Sequence, residues 1–133
     1  MKRIQILYFV QNDGAVLTMN IKIITKPIPK SDLAKIAKDQ FGDWVKAVVD
    51  VERRIMAIGG DLHADEETIL LQDGSEEEYL WGINFWLDKS FDEWIEFNSM
   101  INIRPSQHNR SRGVEDESLR QKIKEVVGEL VTF

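Results

Sequence analysis

A short run of this sequence combines side chains that bind anions. Residues 104–112 carry three arginines, one histidine, two amides and two serines, and no acidic side chain. Guanidinium groups bind phosphate and carboxylate through paired hydrogen bonds, and loops of this polarity frequently hold binding sites. The sequence therefore predicts a small anionic ligand here, bound with the help of two asparagines from nearby strands. The predicted ligand-binding residues are Asn84, Asn102, Arg104, Gln107, Asn109, Arg110 and Arg112.

An acidic segment supports another interpretation of the same arginines. Residues 61–78 contain eight carboxylates and neither lysine nor arginine. Acidic proteins commonly pair their arginines internally, in which case these carboxylates neutralise the arginines of 104–112. The two segments would then form complementary patches, within one subunit or between two.

His63 and the carboxylates near it are the third group that could do chemistry. The candidate catalytic residues are His63, Asp50 and Asp65, for acid–base work. His63, Asp65 and Glu66 could also bind a divalent metal ion, but two histidines and no cysteine cannot form the usual zinc sites. In the simpler interpretation Asp65 caps a helix and His63 bonds to a nearby backbone or carboxylate group. We therefore predict no bound metal and no cofactor.

The elements that position these residues follow from the spacing of apolar side chains. Alternation predicts strands at about 20–25, 45–51, 55–58, 79–87 and 94–104, and apolar stripes predict helices after Ser31, Asp65 and Asp116 or Ser118. The sequence thus predicts an α+β fold. It consists of an antiparallel-rich sheet of about four to six strands, with two longer helices and one short helix packed on one face.

The other sheet face is the predicted working surface. Polar and aromatic side chains of the last two strands share it. They are Asn84, Trp86, Trp94, Glu96, Asn98, Met100, Asn102 and Arg104. Asparagine is uncommon in strands, and exposed tryptophan beside methionine makes an apolar patch. The face is therefore either an ordinary exposed surface or an interface, and an interface would allow a homodimer.

Composition excludes several classes of protein. A net charge of −6 and a pI near 4.9 exclude a general nucleic-acid binder. No apolar stretch is long enough to cross a membrane, and the lack of cysteine favours a cytoplasmic location. The pattern of elements is complete from Met19 onward. Residues 1–18 are therefore predicted to be an N-terminal extension or an extra hairpin strand, and residues 19–133 a single α+β domain.

Four segments carry a resemblance to a known family. They are VVDVE at 48–52, GGDLHADE at 59–66, LWGIN at 80–84 and SMINIRPSQ at 99–107. In these segments the sequence resembles a family of small uncharacterised bacterial proteins, a domain of unknown function, over about residues 19–131. The resemblance implies no activity, ligand or catalytic residue.

Two functions from different classes fit these observations. The first is a cytoplasmic binding or interaction module that self-associates through the mixed aromatic and polar sheet face. The alternative is an enzyme acting on an anionic substrate, such as a phosphorylated one, using the arginine cluster with His63 and a nearby carboxylate. An enzyme requires His63, an acid and an arginine in one cleft, whereas a module requires only a flat patch.

Overall fold

The structure is a computed structural model and describes residues 20–133. The predicted extension, residues 1–18, lies outside the described residues. The helices and strands are β1 Lys22–Ile24, β2 Ile28–Pro29, α1 Lys30–Asp39, β3 Trp44–Asp50, β4 Ile55–Ile58, α2 His63–Gln72, β5 Leu80–Trp86, β6 Ile95–Glu96, α3 Glu117–Leu130 and β7 Val131–Thr132. Short 3₁₀ turns occupy Glu77–Tyr79, Met100–Asn102 and Pro105–Gln107.

Five of these strands form one antiparallel sheet in the order β1-β4-β3-β5-β6. The central strand β3 pairs with β5 along its whole length, from Trp44 opposite Trp86 to Asp50 opposite Leu80. The short strands β2 and β7 form a separate parallel pair. These features confirm the predicted α+β class.

The side chains of β3 enter two different apolar cores. Val45 and Val49 pack with α1 and α3, whereas Val48 packs on the other side with Ile69 and Leu70 of α2. Helices α1 and α3 therefore cover one face, and α2 covers the opposite face. This arrangement differs in detail from the predicted one-sided layout, because β3 and β4 are apolar on both faces and alternation along them is weak. Helix α2 also has ten residues, as α1 does.

The last predicted strand, 94–104, is much shorter than expected. Pairing stops at Glu96, and the chain turns at Ser99, whose Oγ accepts a hydrogen bond from the backbone N–H of Ile101 at 3.2 Å. Pro105 then opens a second turn. The prediction of a strand through Arg104 is wrong, because an alternating pattern in this segment is overridden by side chains that bond to the backbone.

The predicted flat face of tryptophan and asparagine is interrupted as a result. Trp94 is buried in the core that contains α1 and α3, stacked on Phe85 with ring centres 4.5 Å apart. Asn102 is also fully buried. Trp86, the last residue of β5, and Asn98, two residues after β6, remain half-buried. Self-association stays a prediction, but the described residues do not form the continuous surface on which that prediction was based.

We expect a chain that begins at Met19 to fold with a loss of less than about 3 kcal/mol, the scale of losing a packed core element. Ile21 and Ile23 are almost fully buried and are retained in this chain, so both apolar cores keep the side chains described above. Urea unfolding of the two chains measures the difference. A shortened chain that does not fold would contradict the predicted boundary.

Candidate functional site

Three polar side chains form a row across the sheet on the face that α2 covers. Lys46 of β3 is directly opposite Asn84 of β5, which is directly opposite Glu96 of β6. Directly opposed residues in an antiparallel sheet have their side chains in contact range. The Asn84 Nδ2 group donates to Glu96 Oε1 at 3.0 Å, so the strand register itself fixes this pair.

Aromatic rings adjoin this polar row. Trp44 and Trp86 are opposite each other on β3 and β5, with ring centres 5.3 Å apart, and Phe41 stacks on Trp44 at 4.3 Å. All three side chains are half-buried. The Lys46 Nζ atom lies 4.6 Å from the centre of the Trp44 ring and 5.5 Å from that of Phe41. The rings thus form an apolar stack with a cation over it.

Helix α2 adds a carboxyl group that is wholly buried. Glu66 lies in its first turns, and the backbone N–H of Gly60 donates to Glu66 Oε2 at 2.9 Å. Only glycine fits at position 60, because a Cβ atom there would be 2.8 Å from Glu66 Cγ. Burial raises the pKa of Glu66 well above its usual value, although the Gly60 bond and the Lys46 charge oppose the shift.

His63 begins the same helix and points to the same region. Its Nε2 atom is 2.8 Å from the Ile83 carbonyl oxygen, which can only accept, so Nε2 carries the proton. Burial lowers the pKa of His63 to about 4. At neutral pH the ring is therefore uncharged, and its Nδ1 atom carries a lone pair.

Arg112 closes the site from the loop after β6. Its Nε atom donates to Asn98 Oδ1 at 2.7 Å, and the Asn98 carbonyl accepts from Asn84 Nδ2 at 3.2 Å. The Arg112 charge is close enough to lower the pKa of both Lys46 and His63, as a smaller contribution than burial. We call Lys46, His63, Glu66, Asn84, Glu96 and Arg112 the Lys46 site.

The charges of the Lys46 site do not cancel. Burial lowers the pKa of Lys46, and the Glu66 charge partly offsets this. Burial also opposes ionisation of Glu96, but hydrogen bonds from Trp86 and Asn84 outweigh it and lower the Glu96 pKa. Because burial disfavours the charged form of Glu66, the balance of the site shifts toward its two cations, Lys46 and Arg112, in a protein whose net charge is −6.

Unpartnered acceptor atoms concentrate around this site. Within residues 20–133, four buried side-chain polar atoms lack a hydrogen-bond partner, and three of them are the oxygens Gln40 Oε1, Glu66 Oε1 and Asn84 Oδ1. Gln40 belongs to the same region because its Nε2 donates to the carbonyl of Gly59, next to Gly60, at 2.8 Å. Buried polar atoms of native proteins normally have partners, so this cluster calls for an explanation.

Of the predicted site residues, His63, Asn84 and Arg112 come together at the Lys46 site. Asp65 is nearby in the first turn of α2, and burial raises its pKa, helped by Asp61. Asp65 does not cap this helix as predicted. The helix begins two residues earlier, with Leu62 in the cap position and no side-chain cap bond.

Asp50, the third predicted catalytic residue, lies elsewhere. It is four residues from Lys46, or about 13 Å, at the far end of β3. Its Oδ1 accepts from the backbone N–H groups of Glu52 and Arg53 at 2.9 Å, and its Oδ2 accepts from Ser75 Oγ at 2.6 Å. These bonds hold the β3–β4 turn, so pairing of Asp50 with His63 is wrong.

The side chains of Asn102 and Arg104 bond to the backbone of β5 along the part of its edge that β6 does not pair with. Asn102 Oδ1 accepts from the Gly82 N–H at 2.8 Å, and Asn102 Nδ2 donates to the Gly82 carbonyl at 3.0 Å. Arg104 donates to the carbonyls of Leu80 and Glu77, and its guanidinium lies 4.0 Å above the centre of the Trp81 ring. Both side chains take the place of a neighbouring strand, so their role here is structural.

The remaining predicted ligand-binding residues also make structural contacts. Gln107 Nε2 donates to the Glu78 carbonyl at 3.1 Å. Buried Asn109 donates to the carbonyls of Asn102 and Gly113 at 2.7 and 2.8 Å, and so stabilises the loop. Arg110 is exposed, and its backbone N–H bonds to Glu115.

The predicted anion site formed by several arginines of one loop is therefore wrong. Arg104 bonds at the Glu77–Leu80 end of β5, whereas Arg112 lies at the opposite end beside Asn98. The alternative, in which these arginines pair with carboxylates of residues 61–78, does not hold as predicted either, because no ion pair of Arg104, Arg110 or Arg112 is present within residues 20–133. Arg104 and Gln107 bond to backbone carbonyls of 77–80, with the Glu67 and Glu77 carboxylates as nearby charges.

Sequence reasoning missed Lys46 and gave Glu66 only a minor role beside His63. The lysine within the mostly apolar strand WVKAVVD could have marked a functional position, because such a strand is buried on both faces. The spacing of Gly59-Gly60 and Glu66 is a second signal, since the carboxyl group and the glycine are in contact.

Metal binding finds no support in the geometry. No group of three histidine, aspartate or glutamate side chains within 20–133 is placed to hold a metal ion. Across that same part of the chain, every helix is too short or too polar to span a membrane.

The fold and the Lys46 site define a small α+β fold with a cluster of charged, polar and aromatic side chains between the sheet and the start of α2. The chain belongs to a family of proteins of unknown function, DUF5674, whose sequence model matches residues 22–130. This match confirms the predicted resemblance. Searches of the curated proteins and of the solved structures gave no match.

We expect the free energy of unfolding to fall by about 3 kcal/mol as the pH decreases from 6.5 to 4 because of His63. The pKa of this imidazole is 6.5 in the unfolded chain and about 4 in the folded protein, so between these two pH values only the unfolded chain takes up the proton. The His63→Gln variant should lose this part of the pH dependence, and the exposed His108→Ala variant should keep it. A fall of the same size in His63→Gln would contradict the assignment.

Proposed function

We propose that this protein is a binding domain for a small organic anion that carries a flat apolar group. The observation that supports this most directly is the position of the Lys46 ammonium group. It lies over the Trp44 and Phe41 rings, and among the described residues no carboxylate lies within 4.0 Å of it. A half-buried cation without an ion partner is available to pair with a ligand.

The charges of the site favour an anion over a neutral ligand. Lys46 and Arg112 are both near His63, since each lowers its pKa. The Glu96 carboxylate already accepts hydrogen bonds from Trp86 and Asn84. Hydrogen bonds between a cation and a carboxylate or phosphate are about twice as strong as neutral ones, and partial burial strengthens them further.

The aromatic surface suggests the shape of the rest of the ligand. The planes of the Trp44 and Trp86 rings are 20° apart, and Phe41 is stacked on Trp44, so the three half-buried rings form one apolar stack beside Lys46. Stacking of a planar group on such rings adds to the burial of apolar area. A ring or other flat group next to an anionic group would use both features.

Binding of 3-phenylpropionate and phenyl phosphate tests this proposal, with neutral 3-phenylpropionamide as the comparison. We expect the two anions to change the tryptophan fluorescence and to bind at least about tenfold tighter than the amide, the scale of one charge-assisted hydrogen bond. The Lys46→Met variant should lose that preference, and the exposed Lys122→Met variant on α3 should keep it. Equal binding of all three compounds to the natural protein would refute the proposal.

An enzyme acting on an anionic substrate is the second candidate. Within one site, burial raises the pKa of Glu66 and lowers that of His63. Both shifts favour the neutral form, so they favour Glu66 as an acid that holds its proton and His63 as an unprotonated base, the combination that acid–base catalysis needs. Hydrolysis of 4-nitrophenyl phosphate and of anionic 4-nitrophenyl esters tests this candidate. It requires turnover that is lost in both Glu66→Gln and His63→Gln, and turnover that survives in both would exclude these roles.

A further inference from the structure

The unpartnered oxygens of the Lys46 site suggest a second feature of its ligand, an inference that rests on the proposed function. We infer that the ligand is a zwitterion, whose anionic group pairs with Lys46 and whose ammonium group donates hydrogen bonds to Asn84 Oδ1 and Glu66 Oε1. Amino acids with a flat side chain are the simplest molecules of this class.

The orientation of the Asn84 amide is fixed, so its oxygen must be the unpartnered atom. Asn84 Nδ2 donates both to Glu96 Oε1 at 3.0 Å and to the Asn98 carbonyl at 3.2 Å. A flipped amide would place an oxygen against these two oxygens. The Asn84 oxygen therefore points away from them and meets no hydrogen-bond geometry with a donor among the described residues, although Asn84 is close enough to His63 to raise its pKa slightly and is only 5% exposed.

The orientation of the Glu66 carboxyl group is fixed in a similar way. Its Oε2 atom accepts a hydrogen bond from the Gly60 N–H, and the close contact of Gly60 with the Glu66 side chain holds the carboxyl group in place. Its Oε1 atom has no donor within residues 20–133 and no contact with solvent. Two fixed acceptors in one site are matched by a group with several N–H donors.

Lys46 connects these two acceptors to each other. It is the direct cross-strand neighbour of Asn84, and its charge acts on the Glu66 carboxyl group. Its own ammonium does not satisfy them, because it lies over the Trp44 ring. A ligand can reach the buried oxygens only if a side chain moves, and the flexible stem of Lys46 is the one best suited to do so.

Charge complementarity favours an ammonium group rather than a neutral N–H donor. The ionisable groups facing Glu66 are Lys46 from β3, His63 and Asp65 from α2, and, at the margin of the site, Glu96 and Arg112. His63 is neutral at pH 7, and Lys46 would be engaged by the ligand's anion. An ammonium beside Glu66 stabilises its carboxylate form, so the two groups favour each other.

Three matched probes test the inference by calorimetry at pH 7. They are L-phenylalanine, 3-phenylpropionate, which lacks the ammonium group, and 2-phenylethylamine, which lacks the carboxylate. We expect L-phenylalanine to bind at least tenfold tighter than either of the others.

The outcomes separate this inference from the proposed function. If 3-phenylpropionate binds as tightly as L-phenylalanine, the ammonium site is refuted, the oxygens are occupied by water, and the anion site stands. If none of the three binds, both are refuted. In Glu66→Gln the preference for L-phenylalanine over 3-phenylpropionate should shrink to less than threefold, whereas the neighbouring Glu67→Gln variant should keep it. The comparison of the three probes on the natural protein decides the question if Glu66→Gln does not fold.

Discussion

Asn102→Ala is expected to lower the free energy of unfolding by about 3–5 kcal/mol. The substitution removes the acceptor for the Gly82 N–H and the donor to the carbonyls of Gly82 and Arg112. Asn102 is fully buried, so the groups left behind cannot bond to water instead. Each buried polar group left without a partner costs about 1–3 kcal/mol. Urea unfolding measured by tryptophan fluorescence gives the difference directly.

Asn98→Ala is the matched control for this prediction. Asn98 is a half-buried asparagine of the same loop whose side chain accepts one bond, from Arg112. We expect it to cost less than about 1 kcal/mol. Similar losses for Asn98→Ala and Asn102→Ala would show that the Asn102 amide does not hold the β5 edge.

Glu66→Gln is expected to stabilise the protein above pH 7 by roughly 1–3 kcal/mol, the scale of a buried polar group that lacks its partner. Burial raises the pKa of Glu66 in the folded protein. The unfolded chain therefore loses this proton at a lower pH than the folded protein does, and stability is lost as the pH rises above the ordinary glutamate pKa of 4.5. Glutamine is neutral at every pH and can still accept the Gly60 bond.

The difference between the two pH profiles isolates the contribution of Glu66. Near pH 4 the natural protein and Glu66→Gln should have nearly equal stability, and the variant should gain steadily as the pH rises. The His63 contribution is common to both chains and cancels. The exposed Glu93→Gln variant should follow the natural profile within about 0.5 kcal/mol. A Glu66→Gln protein that is less stable at pH 8 than the natural one would mean that Glu66 is held as a carboxylate.

The parts of the fold that were predictable are those whose pattern is local. The stripe of α3 places Ile123, Val126 and Leu130 in the core, and Asp116 caps the helix through the Ser118 N–H, as the spacing indicates. The β3–β4 hairpin also follows from its apolar runs. These elements need no information from distant residues.

The site was only partly predictable because its properties depend on distant contacts. His63, Asn84 and Arg112 were recognisable as reactive or polar residues. Their meeting point depends on α2 crossing the sheet face over β3, which the weak alternation of β3 does not reveal. The burial of Glu66 is a consequence of that crossing. Arg104 illustrates the reverse case, because its partners are backbone carbonyls that no sequence pattern marks.

The side-chain closure of β5 also bears on how the protein stays in solution. Strands with an open edge and apolar side chains can add strands from other molecules, which leads to aggregation. Leu80 and Gly82 would present such an edge, next to the apolar Trp81 and Ile83, where β6 ends. Asn102 and Arg104 occupy its hydrogen-bonding groups without presenting a strand of their own. Slow aggregation at high concentration, in addition to the loss of stability, is therefore the expected consequence of any change that releases this loop.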